Sequence, residues 1–129
     1  MISSLQRFHG HASLGYVYKR GQTVRTPQLS LKYALNQRRR TYRVAVVVSR
    51  KVDKSAVVRN RIRRRIYEVV RGFADDIREP YDLAFTVFSN QLADVDTPSL
   101  RQMVCECLEK ARVVTSSEAD PRVIVKPKR

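Results

Sequence analysis

Five arginines fall within the seven residues from Arg59 to Arg65. A guanidinium stays charged throughout the physiological range and presents a planar fork of donors that matches a phosphate or a carboxylate. Like charges at this density repel one another unless something anionic lies against them. Asn60, inside the run, adds a directional donor and acceptor. The chemistry on offer is anion binding with some geometric selection. Catalysis is not offered by the same stretch. Its only acids are Asp53 and Glu68, and no HExxH, GxSxG or Walker-type glycine loop occurs in the chain. The plain alternative is a solvated charged face. Such faces usually mix signs, and Glu68 is the sole acid within this row.

The arginines sit on a helical pattern. Val58, Ile62, Ile66, Val69, Val70, Phe73 and Ile77 recur at spacings of three and four, which predicts a helix from about Ser55 to Ile77 with one apolar stripe. Asn60, Arg63, Arg64, Tyr67 and Arg71 fall on the opposite side. Arg59 borders the stripe, with a stem able to pack while its head reaches out. Asp53 or Ser55 is the expected N-cap. Gly72, inside the pattern, costs about 1 kcal/mol relative to alanine and marks a kink or a close approach.

The charge balance has the same focus. The chain of 129 residues carries a formal net charge of +14, and it is 43% hydrophobic and 29% charged, a composition that folds around one core. Residues 1–49 hold nine basic and no acidic residues, residues 50–71 nine and two, and residues 72–129 eight and ten. The whole excess lies in the first 71 residues, which predicts one strongly positive surface. Nucleic acid fits that surface better than a membrane does. No stretch is long and apolar enough to span a bilayer, and no basic helix has a Trp/Phe-rich face.

Other elements must position the arginine helix. Residues 1–12 read as an irregular lead-in without the apolar segment of a signal peptide. Ala12 to Arg20 reads as a short helix, with Leu14, Val17 and Tyr18 on one face and Gly21 at its end. Gln22 to Arg25 reads as a short strand. Leu29 to Asn36 alternates and predicts a strand that buries Leu29, Leu31, Tyr33 and Leu35. Thr41 to Arg50 is a second, valine-rich strand, and the two are placed to pair as an antiparallel hairpin across Gln37–Arg40. Tyr81 to Ser89 is a further strand. Thr97 is expected to cap a last helix, with Pro98 at its first position and Leu100, Met103, Val104, Cys107, Leu108 and Ala111 inward. The order is α-β-β-β-α-β-α, an α+β fold with a single sheet of about four strands and helices packed on it. Residues 1–114 make the domain. Residues 115–129 read as a polar, basic, mobile tail in which Val123 to Val125 has strand character.

Several groups invite chemistry and offer little. His9 and His11 are more simply surface residues than ligands. Cys105 and Cys107 form a lone C-x-C, with too few partners for zinc or a disulfide framework, and they suit a reducing cytoplasm. Asp75, Asp76, Glu79 and Asp82 straddle a helix end and a proline turn and are expected to be solvated. Tyr16, Tyr18, Tyr33 and Tyr42 lie near basic residues and offer faces for base stacking, although core packing suits Tyr33 better. No metal or cofactor site is expected in the chain.

The run Arg59-Asn60-Arg61-Ile62-Arg63-Arg64-Arg65 resembles the RNR signature of the protein component of bacterial ribonuclease P, which reads RN-x-x-(K/R)-R. Ser49-Arg50-Lys51-Val52 is similar to that family's S-(K/R)-K-V, and Ala56-Val57-Val58 leads into the signature as its members do. Val17-Tyr18-Lys19-Arg20-Gly21 resembles the V-(F/Y)-K-x-G that closes the family's first helix, and Arg7-Phe8 stands at an Arg-Leu pair. The match runs in order and spacing over about residues 5–113.

The resemblance implies a ribosomal-protein S5 domain 2-like fold with a left-handed βαβ crossover through the arginine helix. It implies a subunit of a ribonucleoprotein whose partners are the ribonuclease P RNA and precursor tRNA, with no membrane or obligate protein partner. Arg59, Asn60, Arg61, Arg63, Arg64, Arg65 and Arg71 would face the catalytic RNA. Leu14, Tyr18, Lys32, Arg50 and Lys51 would line a central cleft for the single-stranded 5′ leader. Magnesium-dependent hydrolysis would belong to the RNA. Three positions depart from the family pattern: Leu14 where Phe is common, Tyr67 where Arg is common, and Asp53-Lys54 where a Gly is common. A non-enzymatic RNA-binding protein of similar fold, ribosomal or an assembly factor, shares the basic helix and needs no leader cleft. A DNA-binding helix-turn-helix fits less well, because no short partner helix precedes the arginines.

Overall fold

The computed structural model describes Val17, Lys19 and residues 21–36, 41–77 and 79–113. Four strands form one sheet: β1 (Gln22–Arg25), β2 (Leu29–Leu35), β3 (Arg43–Val47) and β4 (Tyr81–Val87). Two helices, α1 (Ala56–Arg71) and α2 (Thr97–Lys110), accompany it, with short 3-10 turns at Ala74–Asp76 and Asn90–Ala93. The α+β class and the single sheet match the sequence expectation. Of the expected first helix, Val17 and Lys19 are helical, and its remaining residues lie outside the described ones, as does the tail.

The strand order is β1-β2-β4-β3. This corrects the expected hairpin. β2 pairs antiparallel with β4 along its whole length, from Leu29↔Val87 to Leu35↔Tyr81. β3 pairs parallel with the far side of β4, from Arg43↔Asp82 to Val47↔Thr86. The physical reason lies in β4. Asp82, Leu83, Ala84 and Phe85 are buried in succession, the signature of a strand covered on both faces and flanked on both edges. Such a strand takes the central place between β2 and β3. The chain then travels from β3 through α1 to reach β4 in parallel, forming a βαβ unit.

One face of the sheet carries the main core. Leu29 and Leu31 of β2, Val44 and Val46 of β3, and Leu83, Phe85 and Val87 of β4 meet Ile62, Ile66, Val69 and Val70 of α1 and Leu100, Val104, Cys107 and Leu108 of α2. Ile66 is fully enclosed, and truncating such a side chain to alanine typically costs about 2–5 kcal/mol. The opposite face is floored by small residues. Ala45 and Ala84 are direct register partners, and Val17 packs on them. Ser30 and Ala34 on that side of β2 are also buried, whereas Leu35 is exposed. The simple alternation expected for β2 fails at those positions because both faces of the sheet are covered.

α1 is shorter than its apolar pattern. Ser55 is the N-cap, its Oγ accepting from the Val58 amide at 3.3 Å. At the other end the Gly72 amide donates to Glu68 and Val69 carbonyls, and the Phe73 amide donates to Val70 at 2.8 Å. The last turn tightens and the helix ends at Arg71. Asp75 and Asp76 follow in a 3-10 turn, and acidic residues at a helix C-terminus oppose its dipole. Phe73 and Ile77 remain buried by this route. α2 begins one residue off its expected cap: Asp96, not Thr97, is the N-cap, and its carboxylate accepts from the Ser99 amide at 3.2 Å.

One acid departs from expectation. Asp82 is only 1% exposed. Its carboxylate accepts from Arg43 Nε and Nη2, both at 2.9 Å, and from Asn36 Nδ2 at 3.0 Å. Asp75, Asp76 and Glu79 are exposed as expected.

Candidate RNA-binding surface

α1 presents the arginines in two distinct ways. Asn60, Arg61, Arg64 and Arg71 are exposed, while Arg59, Arg63 and Arg65 are half-buried. Arg65 is turned into the protein. Its Nη1 donates to the Leu92 carbonyl at 2.9 Å and its Nη2 to the Val95 carbonyl. It therefore ties α1 to the connection between β4 and α2. Arg59 is turned backwards, with Nη1 donating to the carbonyls of Asp53 and Lys54 at 3.0 Å each. Both had been expected on the RNA-facing row. Their position on the flank of the apolar stripe gives nearby backbone carbonyls first claim on their donors.

The outward-facing groups are held differently. Arg63 Nη2 donates to Asn60 Oδ1 one turn away, so the asparagine orients a guanidinium. Arg61 stands 3.8 Å from Asp94, and the two side chains are 62% and 82% exposed. A pair so exposed is screened by water and contributes little. Arg71 stands 3.7 Å from Glu68. Arg64 is exposed and has no hydrogen bond or ion pair with another described residue. Of the described arginines of α1 it is the one most available to an incoming anion.

The turn before α1 is built by Asp53. Its Oδ1 accepts from the Ser55 amide at 2.8 Å and its Oδ2 from Asn90 Nδ2 at 3.2 Å. An aspartate that bonds the backbone two residues on is a turn-forming device, so a carboxylate holds this loop without a glycine. Arg50 and Lys51 project from the same turn and are exposed. Lys32 lies on the alanine-floored face of the sheet, in register with Ala84 and Thr23. Leu14 and Tyr18, expected in the same cleft, lie outside the described residues. The structure thus places Lys32 on the face covered by Val17, with Arg50 and Lys51 in the turn that follows β3.

Gly21 fixes the approach of the N-terminal helical turn to the sheet. Its amide donates to the Val17 carbonyl at 2.7 Å. A Cβ at this position would lie 2.4 Å from that carbonyl oxygen and 2.7 Å from the Tyr33 carbonyl oxygen. Only a residue without a side chain lets the chain pass there.

Tyr42, offered as a stacking candidate, belongs to the interior, and Tyr33 packs against the core as expected. Tyr42 is buried within the core, and burial pushes its hydroxyl pKa up. Tyr33 packs at the core edge, edge-on to Tyr81 at 6.3 Å, and donates to Gln22 Oε1. Tyr16 lies outside the described residues. The thiols are also structural. Burial raises Cys107 to about 11, and burial with the neighbouring Glu109 carboxylate raises Cys105 to about 11. Among the described residues, no three of the His, Cys, Asp and Glu side chains come together to hold a metal ion, and no helix is long and apolar enough to cross a membrane.

Sequence reasoning missed Arg101, on the first half of α2. Its guanidinium lies 4.5 Å from the Phe73 ring centroid. It joins Arg61 and Arg64 around a groove between the helices. The only signal in the sequence was an arginine on the outer side of an amphipathic helix, which is common.

Fold and surface together define an α+β protein with an arginine-bearing helix exposed on its surface. The family model for Ribonuclease P matches residues 3–112. The chain is 36% identical over 104 residues to the ribonuclease P protein component of Roseiflexus castenholzii, covering 81% of this chain and 84% of that one. It is 38% identical to the Chloroflexus aurantiacus component, covering 74% and 69%. The fold superposes on the RNase P protein of Staphylococcus aureus with a TM-score of 0.75 at 24% identity, covering 85% of this chain and 98% of that one. On the Thermotoga maritima protein the TM-score is 0.72 at 20% identity, covering 81% and 96%. The chain belongs to the Ribonuclease P family.

Proposed function

We propose that this chain is the protein subunit of a ribonuclease P ribonucleoprotein. It binds the catalytic RNA through the exposed side of α1 and binds the 5′ leader of precursor tRNA on the alanine-floored face of the sheet. Family membership supports the ribonucleoprotein setting. The observation that carries the binding role is the outward row of Asn60, Arg61, Arg64 and Arg71 on a helix whose other side is locked into the core. A rigid element presenting guanidinium groups one turn apart at Arg61 and Arg64, and two turns further on at Arg71, suits a phosphate backbone.

Removal of the leader by hydrolysis of one phosphodiester then belongs to the RNA partner, which would hold the magnesium. This chain brings charge neutralisation and grip: Arg64 and Arg61 on RNA phosphates, and Lys32, Arg50 and Lys51 on the leader.

Binding to ribonuclease P RNA, followed as a function of salt, tests the first half. Affinity should fall steeply with salt because each neutralised phosphate releases counterion. Comparing precursor tRNA carrying a leader of a few nucleotides with mature tRNA tests the second half. Preference for the precursor supports the leader cleft. Equal affinity for both forms favours a non-enzymatic RNA-binding protein instead.

A further inference from the structure

A groove of about 420 Å³ lies between α1 and α2. Arg61, Arg64 and Glu68 line it from α1, and Thr97 and Arg101 line it from α2. Its apolar floor is Val69, 7% exposed, and Leu100, 1% exposed, extended by the aliphatic stems of the surrounding arginines. Arg65 closes one wall, with two of its donors already on the Leu92 and Val95 carbonyls. Besides Arg65, three guanidinium groups therefore surround a partly apolar recess, against the carboxylate of Glu68, which itself stands near Arg71.

Arg101 is placed with some care. It stacks over Phe73 at 4.5 Å, and cation–π contact of this kind holds a guanidinium flat. Gly72 makes room for it, since a Cβ there would come within 3.1 Å of Arg101 Nη1. α2 comes from the acidic half of the chain, yet it turns an arginine towards the arginine helix.

We propose that this groove receives one unpaired nucleotide of the RNA partner, with its phosphate between Arg64 and Arg101 and its base against Val69 and Leu100. The inference rests on the RNA-binding reading of α1 and adds a specific recess beside it. The volume falls within the usual range of small-ligand sites, about 300–1,000 Å³, enough for a nucleotide and too small for a duplex. Unstacked bases in loops and bulges are what proteins read on RNA, because they can be splayed out into such recesses. The combination of planar cationic forks and an apolar wall favours a nucleotide over an acidic peptide, which needs no apolar wall.

Three variants are compared for binding to ribonuclease P RNA after thermal melts establish that each is folded. Thr97→Trp fills the mouth of the groove without changing charge. Arg101→Ala removes the α2 arginine. Arg64→Ala removes a residue shared by the groove and the outward row. The groove predicts that Thr97→Trp and Arg101→Ala each weaken binding about tenfold, the usual scale for losing a charge-assisted contact. Arg101→Ala should also lower the salt slope by about one phosphate contact. Parent-like binding by both of these variants, with Arg64→Ala weakened, overturns the groove and leaves the RNA-binding helix standing. Parent-like binding by all three removes the RNA-binding reading as well. If RNA binding is unaffected but poly-glutamate binds the parent and not Thr97→Trp, the recess takes an acidic peptide and the nucleotide proposal is wrong. Should Thr97→Trp fail to fold, Arg101→Ala decides alone.

Discussion

Arg65 donates to the Leu92 carbonyl at 2.9 Å, while Arg64, its neighbour in the chain, points outward from the same helix. Adjacent arginines of one basic run thus have separate tasks. Arg65→Ala should destabilise the fold by about 2 kcal/mol, the worth of charged hydrogen bonds to partly buried carbonyls, and lower the melting temperature. Arg64→Ala should leave the melting temperature unchanged and weaken RNA binding by about 1–3 kcal/mol. Thermal melts beside RNA titrations check this. Equal melting temperatures for the two variants would contradict the division.

Gly21 stands where any Cβ meets two carbonyl oxygens. Gly21→Ala should cost about 1–3 kcal/mol, as other forced overpacking does. It should also reduce precursor tRNA binding more than binding to the catalytic RNA, because it displaces the Val17 turn from the sheet face that carries Lys32. Urea unfolding and the two binding assays read both effects.

Arg112 has φ of 61°, in the left-handed region that glycine occupies without strain. It follows α2 in a closing motif: the Val113 amide donates to Leu108 at 2.9 Å and the Arg112 amide to Glu109 at 3.0 Å. Arg112→Gly should stabilise the chain by up to about 1 kcal/mol, measured by urea unfolding. A loss of stability would mean that the Arg112 side chain does more than occupy the position.

Cys107 is buried and its thiol is raised from 9.0 to about 11. A raised value means that the folded chain keeps the proton while the unfolded chain gives it up. The associated stability is therefore complete below about pH 9 and is lost as pH rises towards 11. At pH 8 a thiol reagent should react slowly with the native protein and rapidly in denaturant. Fast native labelling at Cys107 would contradict its burial.

The helix α1 was legible because its apolar residues repeat at the helical period and Ser55 caps it. The sheet's membership was legible for the same kind of reason. Its pairing was not, because register partners of β3 and β4, such as Val47 and Thr86, stand 39 residues apart along the chain, and no local pattern records which strand lies between others. The unbroken apolar run Leu83-Ala84-Phe85 was the available clue to a central strand. Within the candidate site, spacing put Arg59 at the border of the stripe, while Arg65 was assigned to the RNA-facing set with the rest of the run. Spacing tells more: Arg65 lies three residues after Ile62 and four before Val69, on the flank of the buried stripe. Arg101 was beyond reach, since its partners Phe73 and Gly72 belong to another element.

The central claim is that this chain serves RNA-based cleavage of precursor tRNA. Its most direct test is cleavage of a 5′-labelled precursor tRNA by a bacterial ribonuclease P RNA at low magnesium, with and without the chain. Little cleavage is expected from either component alone, and cleavage at the mature 5′ end when both are present. Salt-sensitive binding without any rescue of cleavage would contradict it.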